Sequence, residues 1–154
     1  MNSVDRQILN IIQREGRVSV KKIAEQCFIS SPSASIRLQK LESRGLIKSY
    51  SADVDYHLLG YAIKSYVHID VNAKNKFKFY HYIEKIRNVL ECDCITGDYS
   101  MQLKVLFKTM AELDQFVNDL QQFGDTHTNV VFSTAVGPRP LMLECKEKRL
   151  DSRI

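Results

Sequence analysis

Apolar side chains recur every three or four residues through the first 45 positions, the spacing of amphipathic helices. Ser3 and Ser19 can cap the first two helices, and Gly16 ends the first. The apolar stripes of these helices are Val4, Ile8, Ile11 and Ile12 in the first and Val20, Ile23, Ala24 and Cys27 in the second. This pattern predicts two short helices that each turn one face toward a core.

A third helix is expected after a short break at residues 28–30. Ser31 can cap it and Pro32 can take its first position, where the missing N–H would have no partner in any case. The helix should run to about Arg44 and end at Gly45. Its inward stripe consists of Ala34, Leu38 and Leu41. Two helices joined by a tight turn indicate a helix-turn-helix, and residues 46–50 look like the start of a strand.

After residue 60 the periodicity mixes alternation with helical spacing. The predicted strands are 61–71, 89–96, 99–107 and 126–136, and the predicted helices are 76–87 and 111–123. This order is that of a ferredoxin-like βαββαβ domain, so the fold class is α+β. Pro138 and Pro140 end the domain, and a charged tail follows.

Composition narrows the class of protein. With 154 residues, of which 44% are hydrophobic and 26% charged, the chain can bury a core without disulfides or a structural metal. It contains no apolar run near the roughly 20 residues that a membrane helix needs and no signal-peptide core at its N-terminus. We therefore expect a cytoplasmic protein whose four cysteines stay reduced, with no membrane contact and no cofactor.

Charge is distributed unevenly. Residues 1–50 hold nine Lys and Arg against four acids, a net charge of +5, whereas residues 51–137 hold eight against eleven, a net charge of −3. A basic segment joined to an acidic one is typical of a nucleic-acid-binding module attached to a second domain, although +5 in 50 residues also arises by chance.

The outer face of the third helix is the candidate DNA-binding surface. Opposite its apolar stripe, helical spacing places a row of basic and polar residues, and acids are absent from 30–41. Such side chains bond phosphates and base edges of double-stranded DNA. The candidates are Ser31, Ser33, Ser35, Arg37, Gln39, Lys40 and Arg44. The alternative is an ordinary solvated helix face, which would normally mix both signs of charge.

Several motifs resemble those of one known family. They are Asp5-x2-Ile8-Leu9, Gly16-Arg17-x-Ser19, Ser30-x6-Arg37-Leu38-x2-Leu41-Glu42-x2-Gly45-Leu46-Ile47, Leu59-Gly60 and Thr96-Gly97-Asp98-Tyr99-Ser100-x3-Lys104-Val105. In this order, over residues 2–137, they resemble the Lrp/AsnC (feast/famine) transcriptional regulators. The resemblance implies a winged helix-turn-helix domain at 1–50, a β-strand hinge at 51–60, a ferredoxin-like effector-binding and oligomerisation domain at 61–137, and the tail at 138–154.

The resemblance also implies an amino-acid effector, held between neighbouring subunits near the Gly97 turn and the last strand. There, Asp98 could pair with the effector ammonium and Gly97 permits close backbone approach. The implied contacts are Gly97, Asp98, Tyr99, Thr126 and Thr128. The alternative to a binding role is that the two threonines only reflect the preference of threonine for strands, and that Asp98 is an ordinary acidic residue of a turn.

Two positions depart from the family pattern. Phe28 stands in the turn before the third helix, where members commonly have glycine, and would be strained if that position requires a positive φ. Ser100 stands where many members have aspartate.

Cys92 and Cys94 share one face of a predicted strand and could in principle reach one metal ion. No second Cys/His pair follows at suitable spacing, so core packing or a pocket wall is the preferred interpretation, and we expect no metal site.

We expect at least a homodimer, and by resemblance an octamer. Helices on one side of the sheet leave its other face open, and the alternating apolar residues of 99–107 are expected there, for a second copy to cover. These residues are Met101, Leu103, Val105 and Phe107.

Three functions are compatible with these observations. The preferred one is a sequence-specific DNA-binding transcriptional regulator that responds to a small molecule, an amino acid by resemblance. The second is an architectural protein that compacts DNA. The third is an enzyme, since some proteins similar to this family are tetrapyrrole decarboxylases, but the acidic segment 51–137 argues against a basic, carboxylate-binding pocket.

Overall fold

The computed structural model describes residues 1–145 and divides the chain into two compact units. Among the described residues, the first unit combines Met1–Asp53 with residues 137–145, and the second is Val54–Val136. Each unit encloses its own apolar core. No helix within residues 1–145 is long and apolar enough to cross a membrane.

Three helices form the first unit: α1 (Ser3–Arg14), α2 (Val20–Gln26) and α3 (Ser31–Ser43). Ser19 caps α2 as predicted. The expected caps of the other two helices are wrong by one residue. Asn2 rather than Ser3 caps α1, because its side chain accepts from the Asp5 N–H at 2.9 Å while the Asp5 carboxylate accepts from the Asn2 N–H at 3.4 Å. Ser30 rather than Ser31 caps α3.

The predicted apolar stripes build the core of the first unit. Most of their members are buried between the three helices, which confirms the helical periodicity. Val4, Ile11 and Ile12 are partly buried against this core, whereas Val20 is 37% exposed. The buried core residues are Ile8, Leu9, Ile23, Ala24, Cys27, Ala34, Leu38 and Leu41.

The segment after residue 137, which we call the return segment (137–145), packs against α1. The Asn10 amide donates to the Leu143 carbonyl at 2.9 Å and accepts from the Leu143 N–H at 2.8 Å. The Arg6 guanidinium donates to the Glu144 carbonyl at 2.8 Å, and Leu143 packs on the core. The described part of the expected charged tail is therefore a structural part of the first unit. Residues 146–154 lie outside the described residues.

The second unit confirms the ferredoxin-like order. Its elements are β1 (Ile63–Val71), α4 (Lys76–Ile83), β2 (Val89–Cys94), β3 (Met101–Phe107), α5 (Met110–Leu120) and β4 (Gly124–Val130), with a short 3-10 turn at Ala73–Asn75. The four strands form one antiparallel sheet in the order β2-β3-β1-β4.

All six elements are shorter than predicted, and α4 and β4 are shorter by four residues each. Helix α4 ends at Ile83 instead of 87, because the following residues form the tighter turns of a 3-10 helix. In one of them, the Ile86 N–H donates a hydrogen bond to the Ile83 carbonyl at 3.0 Å. Strand β4 ends at Val130 instead of 136, because its partner β1 begins at Ile63 and offers little further backbone to pair with.

The expectation about the open sheet face is wrong. Met101, Leu103, Val105 and Phe107 pack with α4 and α5 in the core, since they lie opposite buried residues of β1 such as Val67. The other face is more polar, because the alternation of β1, β3 and β4 places charged, amide and imidazole groups there. Its residues include Lys64, Tyr66, His68, Asp70, Gln102, Lys104, Leu106, His127 and Asn129.

The expected strands at 46–50 and 51–60 do not form. Residues 56–60 are a turn, and the rest has no regular secondary structure. A strand requires a neighbour to pair with, and no described strand of this chain pairs with residues 46–60.

Candidate nucleic-acid interface and effector site

The turn of the helix-turn-helix closes α2 with two backbone hydrogen bonds. The Phe28 N–H donates to the Glu25 carbonyl at 3.3 Å, and the Ile29 N–H donates to the Ala24 carbonyl at 3.0 Å. This Schellman geometry requires a left-handed residue at the turn, and Phe28 has φ of +54°. The expectation of a strained bulky residue at this position is confirmed.

Beside α3 lies a groove with a volume of about 490 Å³. Its lining combines basic, polar and apolar side chains of α3 with one acid from α1. The lining residues are Asp5, Ser33, Ile36, Arg37, Lys40, Leu41 and Arg44. The groove therefore contains three of the predicted basic residues and one carboxylate that the pattern of α3 alone could not reveal.

Arg37 does not project freely into solvent. Its guanidinium donates to the Asp5 carboxylate at 2.8 Å, and the two side chains are only 30% and 17% exposed. The Arg37 Nε is buried without a protein partner among the described residues. The pair joins α3 to α1, so the structure gives Arg37 an intramolecular partner that the sequence analysis missed.

The other predicted DNA-binding residues lie on the outer side of α3. Lys40 and Arg44 are exposed, and within residues 1–145 neither is paired with a carboxylate. Ser31 and Gln39 are also exposed, whereas Ser33 and Ser35 are half-buried. The outer side of α3 is thus basic and polar, with Ile36 as a 53% exposed apolar residue among these groups.

The turn between β2 and β3 carries the first part of the predicted effector site. Gly97 has φ of +113°, a conformation that side chains rarely adopt, and a Cβ there would meet nothing within 4 Å. Asp98 is exposed. Ser100 fastens the turn to β1, because its hydroxyl accepts from the Val71 N–H at 2.8 Å and donates to the Ile69 carbonyl at 3.3 Å.

Tyr99 packs on two imidazoles of the open sheet face. Its ring centroid lies 5.8 Å from that of His68 and 6.1 Å from that of His127, the latter in a stacked arrangement. The His68 Nε2 lies 3.2 Å from the Gln102 Oε1. Sequence reasoning missed His68 as a neighbour of the turn, although its place two residues from Tyr66 and Asp70 already put all three on one strand face.

Thr126 and Thr128 lie on the opposite face of the sheet from this aromatic group. They pair with Ile69 and Val67, so their side chains are on the helix side. The Thr128 hydroxyl is buried without a hydrogen-bond partner among the described residues. Within one chain, the structure brings Gly97, Asp98 and Tyr99 together, but it does not place the threonines with them.

The two strand cysteines have different surroundings. Cys92 packs against the core, as preferred, and burial raises its pKa to about 11. Cys94 is exposed, with its sulfur 3.4 Å from the Tyr80 hydroxyl and 3.5 Å from the Met101 sulfur. Across residues 1–145, no three His, Cys, Asp or Glu side chains are grouped so as to hold a metal ion.

Comparisons with known proteins identify both units. Residues 1–48 match the family model described as winged helix-turn-helix DNA-binding, and residues 64–141 match the Lrp/AsnC ligand binding domain. The HTH-type transcriptional regulator LrpC of Bacillus subtilis is 28% identical over 86% of this chain and 92% of its own. A second regulator of that organism, YezC, is 31% identical over 88% of this chain and 96% of its own.

Solved structures agree with this result. The structure of B. subtilis LrpC matches with a TM-score of 0.85 and 27% identity, over 90% of this chain and 99% of that one. A transcriptional regulator from Neisseria meningitidis, in complex with L-methionine, shows the same fold with a TM-score of 0.85 at 22% identity, over 89% and 93%. A helix-turn-helix unit joined to a ligand-binding α+β unit defines a DNA-binding transcriptional regulator. The chain belongs to the Lrp/AsnC family of these regulators.

Proposed function

We propose that this regulator binds operator DNA with the outer side of α3 and responds to an amino acid bound by its second unit. The observation that carries the proposal is the basic groove, where the exposed Lys40 and Arg44 have no paired carboxylate within residues 1–145. Unpaired basic groups on one helix face are suited to phosphates or to guanine edges.

The predicted DNA contacts take different roles in this proposal. Lys40 and Arg44 neutralise phosphates or read bases, and the polar groups of Ser31, Ser33, Ser35 and Gln39 contact the backbone or base edges. Arg37 acts mainly by holding α3 on α1, since Asp5 already accepts from its guanidinium. The enzymatic alternative is not favoured, because the relatives are transcriptional regulators.

Salt dependence of DNA binding tests this assignment. A duplex selected by the wild-type chain from a random pool is titrated by fluorescence anisotropy at several salt concentrations. Lys40→Ala should weaken binding to all sequences and reduce the slope of log K against log salt by about one. Lys78→Ala, which removes an exposed lysine of the second unit, is the matched control. An unchanged slope for Lys40→Ala would contradict the proposed interface.

Footprinting separates regulation from compaction. A sequence-specific regulator should protect discrete sites, and an architectural protein should protect long, uniform stretches of DNA. We expect discrete sites whose occupancy changes when the effector is added.

We propose the Gly97 turn as the place where the effector binds. The exposed Asp98 supplies a charge for the ammonium, and Gly97 keeps the backbone accessible. The threonines Thr126 and Thr128 form the second part of the proposed site, supported by the unsatisfied Thr128 hydroxyl. The Neisseria relative is in complex with L-methionine, which supports an amino acid as the class of ligand.

Calorimetry with each of the twenty amino acids tests the effector site. At least one should bind to the wild type, and Asp98→Ala should weaken that binding while DNA affinity without effector is unchanged. Asp114→Ala, which removes an exposed carboxylate from α5, serves as control. If none of the twenty binds, the proposed site is wrong.

We propose that the chain acts as a homodimer, which assembles further toward an octamer on the nucleoid. Two features support an interface between copies of this chain. The open sheet face carries Tyr66, His68 and Tyr99, and segment 46–60 has no strand partner among residues 1–145. A twofold-related pair of α3 helices would match a palindromic operator.

A further inference from the structure

Two helices of the first unit end with the same backbone motif but with different residues at its left-handed position. At the end of α3, the Gly45 N–H donates to the Glu42 carbonyl at 2.8 Å, and the Leu46 N–H donates to the Leu41 carbonyl at 3.0 Å. Gly45 has φ of +70°. The end of α2 repeats this pattern with Phe28 at φ of +54°. The chain thus uses glycine at one of two equivalent positions and phenylalanine at the other.

Nothing within the described part of the chain compensates for the phenylalanine. An L-residue in the left-handed region is strained, whereas glycine is not. The Phe28 side chain is 96% exposed, and it has no aromatic partner among residues 1–145. The apolar contact that accompanies this motif comes from the next residue, Ile29, which packs on the core. Both the strain and the exposure of an apolar ring therefore lack an intramolecular reason.

The position of Phe28 suggests that the reason for its strain and exposure is a contact with another molecule. The residue lies in the turn of the helix-turn-helix, two positions before Ser30, which caps α3. The first turn of α3 contains no acid, and its outer side continues to the exposed Ile36, Lys40 and Arg44. An apolar ring next to a basic helix face can pack against deoxyribose or a thymine methyl group while the basic groups hold phosphates.

We propose that Phe28 is a DNA-contacting residue whose ring packs against the apolar surface of the operator duplex. The inference rests on the proposed function, since it requires that α3 faces DNA. The contact of the Phe28 ring is apolar and carries no charge. Its loss should therefore weaken the affinity for the duplex and leave the salt dependence of binding unchanged.

The test uses three substitutions at this position in the full-length chain. Phe28→Gly and Phe28→Asn remove the ring and permit the left-handed conformation, and Phe28→Tyr keeps an aromatic ring. We expect Phe28→Gly to raise the midpoint of thermal unfolding of the first unit by about 2–5 °C, because the strain is relieved. The same variant should bind the selected duplex about tenfold more weakly at constant salt, with an unchanged salt slope. Phe28→Asn should behave similarly, and Phe28→Tyr should bind like the wild type.

Phe132→Gly is the matched control. Phe132 is also fully exposed but belongs to the second unit, so its loss should leave DNA affinity unchanged. The inference is overturned if Phe28→Gly binds the duplex as tightly as the wild type. It is also overturned if Phe28→Gly lowers the unfolding temperature, or if it changes self-association and not DNA affinity. Failure of the wild type to bind any duplex would instead refute the proposed function itself, which distinguishes the two failures.

Discussion

The ion pair between Arg37 and Asp5 spans 32 residues of sequence and joins two helices with both side chains largely shielded from water. Helical periodicity placed Arg37 on the outer side of α3, but it carried no information about an acid on another helix. A tertiary contact thus decides whether a basic residue of α3 is free to bind a ligand or holds α3 against another helix.

Substitution of Arg37 should therefore reduce stability. Arg37→Ala is expected to lower the free energy of unfolding of the first unit by about 1–2 kcal/mol, between the values for exposed and buried ion pairs. Lys40→Ala, on the same helix, should change it by less than about 0.5 kcal/mol. The free energy of unfolding of each variant is measured by urea titration, with amide hydrogen exchange in α1 and α3 as the readout. Equal stability of Arg37→Ala and the wild type would show that the pair contributes nothing.

Gly124 pairs with Val71 of β1 and leaves no room for a side chain. A Cβ at this position would lie 1.8 Å from the Asp70 carbonyl oxygen, which is backbone and cannot rotate away. Gly124→Ala should destabilise the second unit by about 2–3 kcal/mol or more, because the strands must separate. Gly137→Ala, where a Cβ meets nothing within 4 Å, is the control for thermal unfolding. A neutral Gly124→Ala would contradict this strand pairing.

The strand cysteines should differ in reactivity. Burial raises the pKa of Cys92 to about 11, so only about one Cys92 thiol in a thousand is ionised at pH 8. Iodoacetamide at pH 8 should label the exposed Cys94 first, and labelling of Cys92 should accelerate roughly tenfold per pH unit up to pH 10. Peptide mass spectrometry follows both sites. Cys92 labelling as fast as Cys94 at pH 8 would contradict the burial of its thiol.

At the scale of elements, the periodicity of apolar residues predicted the three helices, the βαββαβ order and the inward stripes of α2 and α3. Local patterns suffice for these features because helices and strands bury one face each. They failed where the outcome depends on a distant partner. Segment 46–60 forms no strand without a neighbour, and the face on which Met101 lies depends on which side α4 and α5 cover. The threonines of β4 were correctly placed on one face, but their separation from Tyr99 follows only from strand pairing.

The return segment is an element that the sequence analysis treated as a tail. Asn10→Ala removes both hydrogen bonds to Leu143 and should lower the stability of the first unit by about 1–2 kcal/mol. Gln13→Ala is the control on the same helix, because its contact to the Leu141 carbonyl is long, at 3.5 Å, and exposed. Amide exchange in α1 should accelerate for Asn10→Ala alone. Unchanged exchange would mean that the segment does not stabilise the unit.

For the whole molecule, the proposed assembly gives a direct prediction. Light scattering at micromolar concentration should show a particle of at least twice 17.8 kDa. His68→Glu places a charge on the open sheet face beside Tyr99 and should shift the particle toward the monomer, since burying an unpaired charge is costly. Phe77→Glu on α4, which is 87% exposed, is the control and should leave assembly unchanged. A monomeric wild type would refute the assembly.

The return segment also has a consequence for biosynthesis. Asn10 meets a partner 133 residues further along the chain, so the first unit cannot complete its contacts until the second has been synthesised. At ordinary rates of translation this delay is roughly 7–27 s. During that time α1 lacks Leu143, and the helices of the first unit exist without the return segment. A nascent chain should therefore complete the packing around α1 only after the ribosome has passed the ligand-binding unit.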